Sequence, residues 1–134
     1  MGNDLLTRCE PLFERALRMY DLGDATLFAA FRRNPLGVAI YAEHADEEEP
    51  ELVLTVKGTE FPRGLEAAIA QFSDAYLAQL DEPTREMVAR SLRGRGQLAL
   101  LVTPWPATIE LVLYPGNDDE PIVLRRSGGQ DPAR

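Results

Sequence analysis

The chain is short of the residues that most often do chemistry. Its 134 residues include one cysteine, one histidine, one lysine and one tryptophan. With Cys9 alone, no intrachain disulfide forms and no cysteine-rich metal knuckle is available. A reducing cytoplasm suits that cysteine usage, and cytoplasmic is the expected location. No run approaches the roughly 20 apolar residues that span a bilayer, and Asp4, Arg8 and Glu10 interrupt the N-terminus where a signal peptide needs an apolar stretch. No membrane association is therefore expected.

What the chain has in quantity is acid. Twenty-two Asp and Glu stand against fourteen basic residues, thirteen arginines and Lys57, for a net charge of -8. That field repels nucleic-acid phosphates, so no nucleic acid is expected as a partner. Forty-five per cent of the residues are apolar, enough for a hydrophobic core and too many for a disordered chain. The length suits one domain, read as residues 1–126, with 127–134 as a disordered tail rich in Ser, Gly, Gln, Asp, Pro and Arg.

Leu5, Cys9, Leu12, Phe13, Ala16, Leu17 and Tyr20 recur at helical spacing over 4–22. Pro11 within that stretch predicts either a kink or a helix whose regular part begins near Glu10. Two periods compete over 24–33, and the turn composition Asn34-Pro35-Leu36-Gly37 favours a strand entering a hairpin, with the helical reading left open. Residues 38–43 and 52–57 read as strands. A helix follows over 63–80, with Leu65, Ala68, Ile69, Phe72, Ala75, Tyr76 and Leu80 on one stripe. A second runs from Asp81 to about Leu92, with Gly94 closing it. Strands are predicted at 97–103, 108–114 and 121–126. The fold class is α+β, a single mixed or antiparallel sheet of five to six strands with helices covering one face.

That arrangement leaves the second sheet face bare. Tyr41, Val53, Leu101, Val112 and Tyr114 are placed on it together with Phe28, and their apolar area exceeds what a monomer usually exposes. Trp105, held between two prolines, is the best-defined surface anchor. These residues form the candidate partner-binding set. The expected function is a non-enzymatic, acidic interaction or chaperone-like accessory protein, with a protein partner or a homodimer on that face. The alternative is a curled sheet whose Tyr41, Glu110 and Tyr114 line a pocket for a small molecule, as in a carrier or an isomerase-like enzyme.

Catalytic constellations are sparse. His44 lies among Glu43, Asp46, Glu47, Glu48, Glu49 and Glu51, but this segment lacks the central glycine and alternating ligand positions of a calcium loop; it reads as a solvated loop, and no metal site is assigned. Ser73, Ser91 and Ser127 stand in no nucleophile elbow, and Cys9 falls on an apolar helix stripe as a structural thiol. Glu60, Glu110 and Asp74 are carboxylates with no spacing that pairs them. Gly94-Arg95-Gly96 offers backbone donors and a guanidinium to an anion, yet has neither the P-loop lysine nor a strand-to-helix setting, so it reads as a helix end and turn. No cofactor is implied and catalytic residues stay unassigned.

Size, acidity and the order helix, strands, helices, strands are loosely similar to small secretion chaperones. The order is also partly similar to the cone-shaped pocket folds of many isomerases and carriers. The likeness covers most of the chain but is one of order only. A strand rather than a helix precedes the tail, two helices precede the last strands, and no motif matches. No functional residue is carried over and no family is assigned.

Overall fold

The computed structural model describes residues 2–19, 21, 23–33, 35–104, 107–116 and 120–128. Helix α1 (Gly2–Met19) is followed by three strands, β1 (Thr26–Arg33), β2 (Leu36–Glu43) and β3 (Glu51–Lys57). A 3₁₀ turn (Gly58–Glu60) leads to helices α2 (Leu65–Ala78) and α3 (Glu82–Arg93), then to β4 (Gln97–Pro104), β5 (Ala107–Tyr114) and β6 (Ile122–Gly128). The strands form one antiparallel sheet in the order β3-β2-β1-β4-β5-β6. It is two meanders, each growing outward from its own first strand, with β1 and β4 paired at the centre. The connection between them is the pair of helices, which has room to cross because it carries the chain from one edge back to the middle.

Residues 24–33 thus resolve as a strand from Thr26 onward. Leu27, Ala29 and Phe31 pair with Ala42, Ile40 and Val38 on one side of the hairpin, a period-2 burial that a helix would not produce. α1 runs unbroken through Pro11, so the reading that starts it near Glu10 is corrected. Pro11 is exposed, while Leu5, Cys9, Leu12, Phe13 and Ala16 are buried on both sides of it. Packing before and after the proline offsets the missing backbone donor.

The core lies between the three helices and one sheet face. Residues of α1 and α2 join Phe31, Val38, Ile40, Leu100, Val102, Ile109 and Leu111 in one cluster, and Val88 of α3 meets Leu113 in a second. On α2 the buried stripe takes Ser73 rather than Ala75, which is exposed. Asp81 caps α3 by accepting the Thr84 amide at 2.9 Å, and hydrogen bonding from the Thr84 side chain and then from its amide holds the carboxyl below the usual carboxylate range. Gly64 enters α2 at φ 84, with the Arg8 side chain packed where a Cβ would go and donating to the Arg63 carbonyl at 3.1 Å. β6 extends to Gly128, taking in the first two residues of the expected tail, and residues 129–134 lie outside those described. Among the described residues no helix is long and apolar enough to cross a membrane.

Cys9 is fully buried, and burial pushes its thiol up to about 12. The nucleophilic thiolate is therefore scarce at pH 8 and shielded from reagents. A disulfide exchange reagent at pH 8 should leave the native chain unlabelled over minutes and label it fully in denaturant. Rapid native labelling would contradict this packing of α1.

Candidate functional site: the helix-free sheet face

Side chains alternate along a regular strand, so on β1, β2, β4 and β5 the residues next to core-facing ones point to the side the helices leave bare. On β1 these are Phe28, Ala30 and Arg32, and on β2 Ala39 and Tyr41, with Phe28 paired to Tyr41 and Ala30 to Ala39. On β4 and β5 they are Ala99, Leu101, Glu110, Val112 and Tyr114, with Leu101 paired to both Ala30 and Glu110. The centre of the face is made of small residues, Ala30 and Ala99 being buried, and larger side chains stand around them. The Phe28 and Tyr41 rings stack at 5.2 Å with 19° between planes. The Arg32 guanidinium lies 5.9 Å from the centre of the Tyr114 ring, within cation–π reach.

Burial pushes the Tyr114 hydroxyl above the ordinary phenol range; Arg32 opposes that rise, and Tyr41 and Glu110 add to it. Tyr41 on β2 and Tyr114 on β5 lie on the same sheet face with two strands between them. Glu110 also has Arg126 of β6 at 4.0 Å, with the arginine mostly exposed.

No family model, curated protein or solved structure matches the chain. The site therefore rests on its own geometry.

Of the residues expected on this face, Tyr41, Leu101 and Tyr114 are there and half-buried. Val53 is not. The register between β2 and β3 shifts at Ile40/Tyr41, so Leu54 pairs with Ile40 and Leu52 with Tyr41, while Val53 packs against the helix-side core. The bulge supplies one extra residue to β3 and reverses the alternation beyond it. Val112 faces the bare side, opposite Ala99 and Val123, but is only 2% exposed and offers little contact area. Trp105 lies outside the described residues.

Two apolar residues of the face had not been singled out. Leu52, 56% exposed, takes the place expected for Val53, and Val123 on β6 is 55% exposed beside Val112. Leu52 carried no readable signal, because a bulge is a property of the pairing. Val123 stands in the apolar run Ile122-Val123-Leu124, where the register of β6 against β5 also shifts, so its side was not readable from the chain either.

His44 and Glu51 meet at 3.0 Å across the base of the acidic link, tying the end of β2 to the start of β3. Among the described residues no group of three or more His, Cys, Asp or Glu side chains converges to hold a metal ion. Chemically, the face offers apolar area, phenol hydroxyls, and the charges of Arg32 and of Glu110, the latter paired with Leu101.

Proposed function

We propose that the chain is a non-enzymatic interaction or chaperone-like accessory protein that receives a protein partner, or a second copy of itself, on the helix-free sheet face. One observation carries this reading: a six-stranded sheet covered by helices on one side only, with Phe28, Tyr41, Leu52, Leu101, Tyr114 and Val123 on the other. Five strand spacings and strands of seven to eight residues give a face of about 24 by 25 Å, or roughly 600 Å² before side-chain relief. A standard interface takes about 800 Å² from each partner, so the face is of the right order for one. Its half-buried aromatics and single arginine against a tyrosine match the residue types that anchor such contacts.

Sedimentation equilibrium tests the self-association branch. A concentration-dependent dimer is expected, reverting to monomer in Leu101→Glu, which places a charge at the centre of the face. A chain that stays monomeric at high concentration removes the homodimer and leaves a different protein as the partner. Substituting Trp105 with alanine then weakens a confirmed partner if the neighbouring turn contributes an anchor; unchanged affinity removes Trp105 from the set.

A second reading has one observation in its favour: Tyr41, Glu110 and Tyr114 share one sheet face, with Tyr114 half-buried and its hydroxyl pushed up by that burial. If that face curls around a small molecule, its binding should change the absorbance titration of Tyr114 in the wild type and leave Tyr114→Phe without that step. The partner reading stands first because the two clefts described for the chain are lined chiefly by helix-side residues.

A further inference from the structure

A cleft of about 1090 Å³ lies between α2, the end of α3 and the adjoining ends of β1 and β4. It is a different site from the bare sheet face. Its aliphatic wall is formed by Ala67, Ala70 and Leu77 of α2, Leu92 of α3 and Leu98 of β4. Ala67 to Leu77 covers roughly 15 Å along the helix axis. Leu92 is 44% exposed, an apolar side chain left open beside this wall.

The charged residues of the cleft run against the charge of the chain. Arg33 and Arg95 line it with a single acid, Glu66, while Arg32 at its rim turns to the bare face, so the cleft holds an excess of positive charge in a protein of net charge -8. Arg33 is shared with Asp74 at 3.2 Å, both side chains well exposed, and Arg32 lies over Tyr114. Arg95 has no ion-pair partner among the described residues.

Arg95 is also held on a fixed base. The Gly94 and Gly96 amides both donate to the Ser91 carbonyl, at 3.1 and 2.8 Å, folding the turn back on the end of α3. Gly116 sits against the Arg95 backbone so closely that any side chain there would collide with it. The guanidinium therefore leaves a backbone anchored on two sides, which lowers the ordering cost of engaging an anion.

The depth of the cleft selects among occupants. Phe31, Leu100 and Leu111 at its floor are each 1% exposed, already sealed by their own neighbours. A docking helix gains affinity by covering open apolar surface and finds little of it here. A slender chain needs only the aliphatic wall. We propose that this cleft binds an alkyl-chain carboxylate, the chain lying along α2 between Ala67 and Leu77 and the head group on Arg95, with Arg33 as second donor. The chemistry is that of a cationic anchor beside an apolar trough, a charge-assisted contact at the head and area burial along the tail.

Isothermal titration of the full chain with dodecanoate, below its micellar range, tests this. One dodecanoate is expected to bind per chain, acetate not at all, and dodecyltrimethylammonium at least tenfold more weakly. Arg95→Gln, an exposed change that leaves the fold intact, should weaken dodecanoate about tenfold, the loss of one charge-assisted contact. Ala70→Phe should fill the trough and abolish binding; if that variant does not fold, Arg95→Gln decides. The proposal is overturned by no binding of dodecanoate at millimolar concentration, by equal binding of the cationic amphiphile, or by unchanged affinity in Arg95→Gln. It is likewise overturned if an acidic amphipathic helix binds the cleft and dodecanoate does not.

Discussion

Replacing Phe31 with alanine is expected to lower the unfolding free energy by about 3–5 kcal/mol, the range for truncating a large buried aromatic. Phe31 is the largest of the fully buried side chains, on the strand where the two meanders meet. Its neighbours in register are Val38 and Leu100, and its ring meets Phe61 edge-on, with centroids 5.9 Å apart and 87° between planes. Truncation removes contacts to β2, to β4 and to the segment that enters α2 at once. The sheet on either side is paired in register and has little freedom to collapse into the gap, so the loss belongs toward the upper part of that range. A domain of this size has a total stability on the order of 7–20 kcal/mol, so the variant should be marginal at elevated temperature. Urea unfolding at 25 °C measures it, with an unchanged slope showing that the unfolded state is unaffected. A loss below about 1 kcal/mol would mean that Phe31 is not packed between the meanders as described.

The second large effect is expected at Gly116. Its φ of 88° is left-handed backbone that alanine adopts only with strain, and the Cβ of alanine would collide with the Arg95 carbonyl. Backbone, unlike the end of a long side chain, cannot move aside without shifting the turn after α3. Gly116→Ala should cost about 2–4 kcal/mol, the strain and the overpacking combined, and lower the melting temperature by roughly 10 °C. Gly23 supplies the comparison. It also has positive φ, 57°, but nothing lies within 4 Å of a Cβ built on it, so Gly23→Ala should show the strain alone, about 1 kcal/mol. Thermal unfolding followed by circular dichroism compares the two. Equal losses would mean that the contact between Gly116 and Arg95 contributes nothing, and would also remove the anchoring argument made for Arg95.

Several features of the candidate site were legible along the chain because they depend on local period. The alternation of Ile109, Leu111 and Leu113 against Glu110, Val112 and Tyr114 marks β5 as a strand with two distinct faces, and β5 presents them so. Asp81 ahead of Pro83, and Gly94 after the last apolar residue, mark the ends of α3 by capping chemistry that needs no distant partner. Where the reading missed, the deciding interaction was between strands. Val53 was placed on the bare face by simple alternation, and the shift at Ile40/Tyr41 moved it to the core and put Leu52 outside. Ser73 joined the buried stripe of α2 in place of Ala75, which depends on where the helix rotates against the sheet.

From the order of residues alone came the α+β class, three helices, five strands with 24–33 left between strand and helix, and the acidity of the surface. Each follows from side-chain period, turn chemistry or charge within a few residues of itself. Only the folded chain decided that β1 and β4 pair, that the registers of β2 with β3 and of β5 with β6 shift so that Leu52 and Val123 reach the bare face, and that Arg33 and Arg95 share a cleft. Those are consequences of strand order and register, energies summed over pairs far apart in sequence, and no local pattern of residue types encodes them.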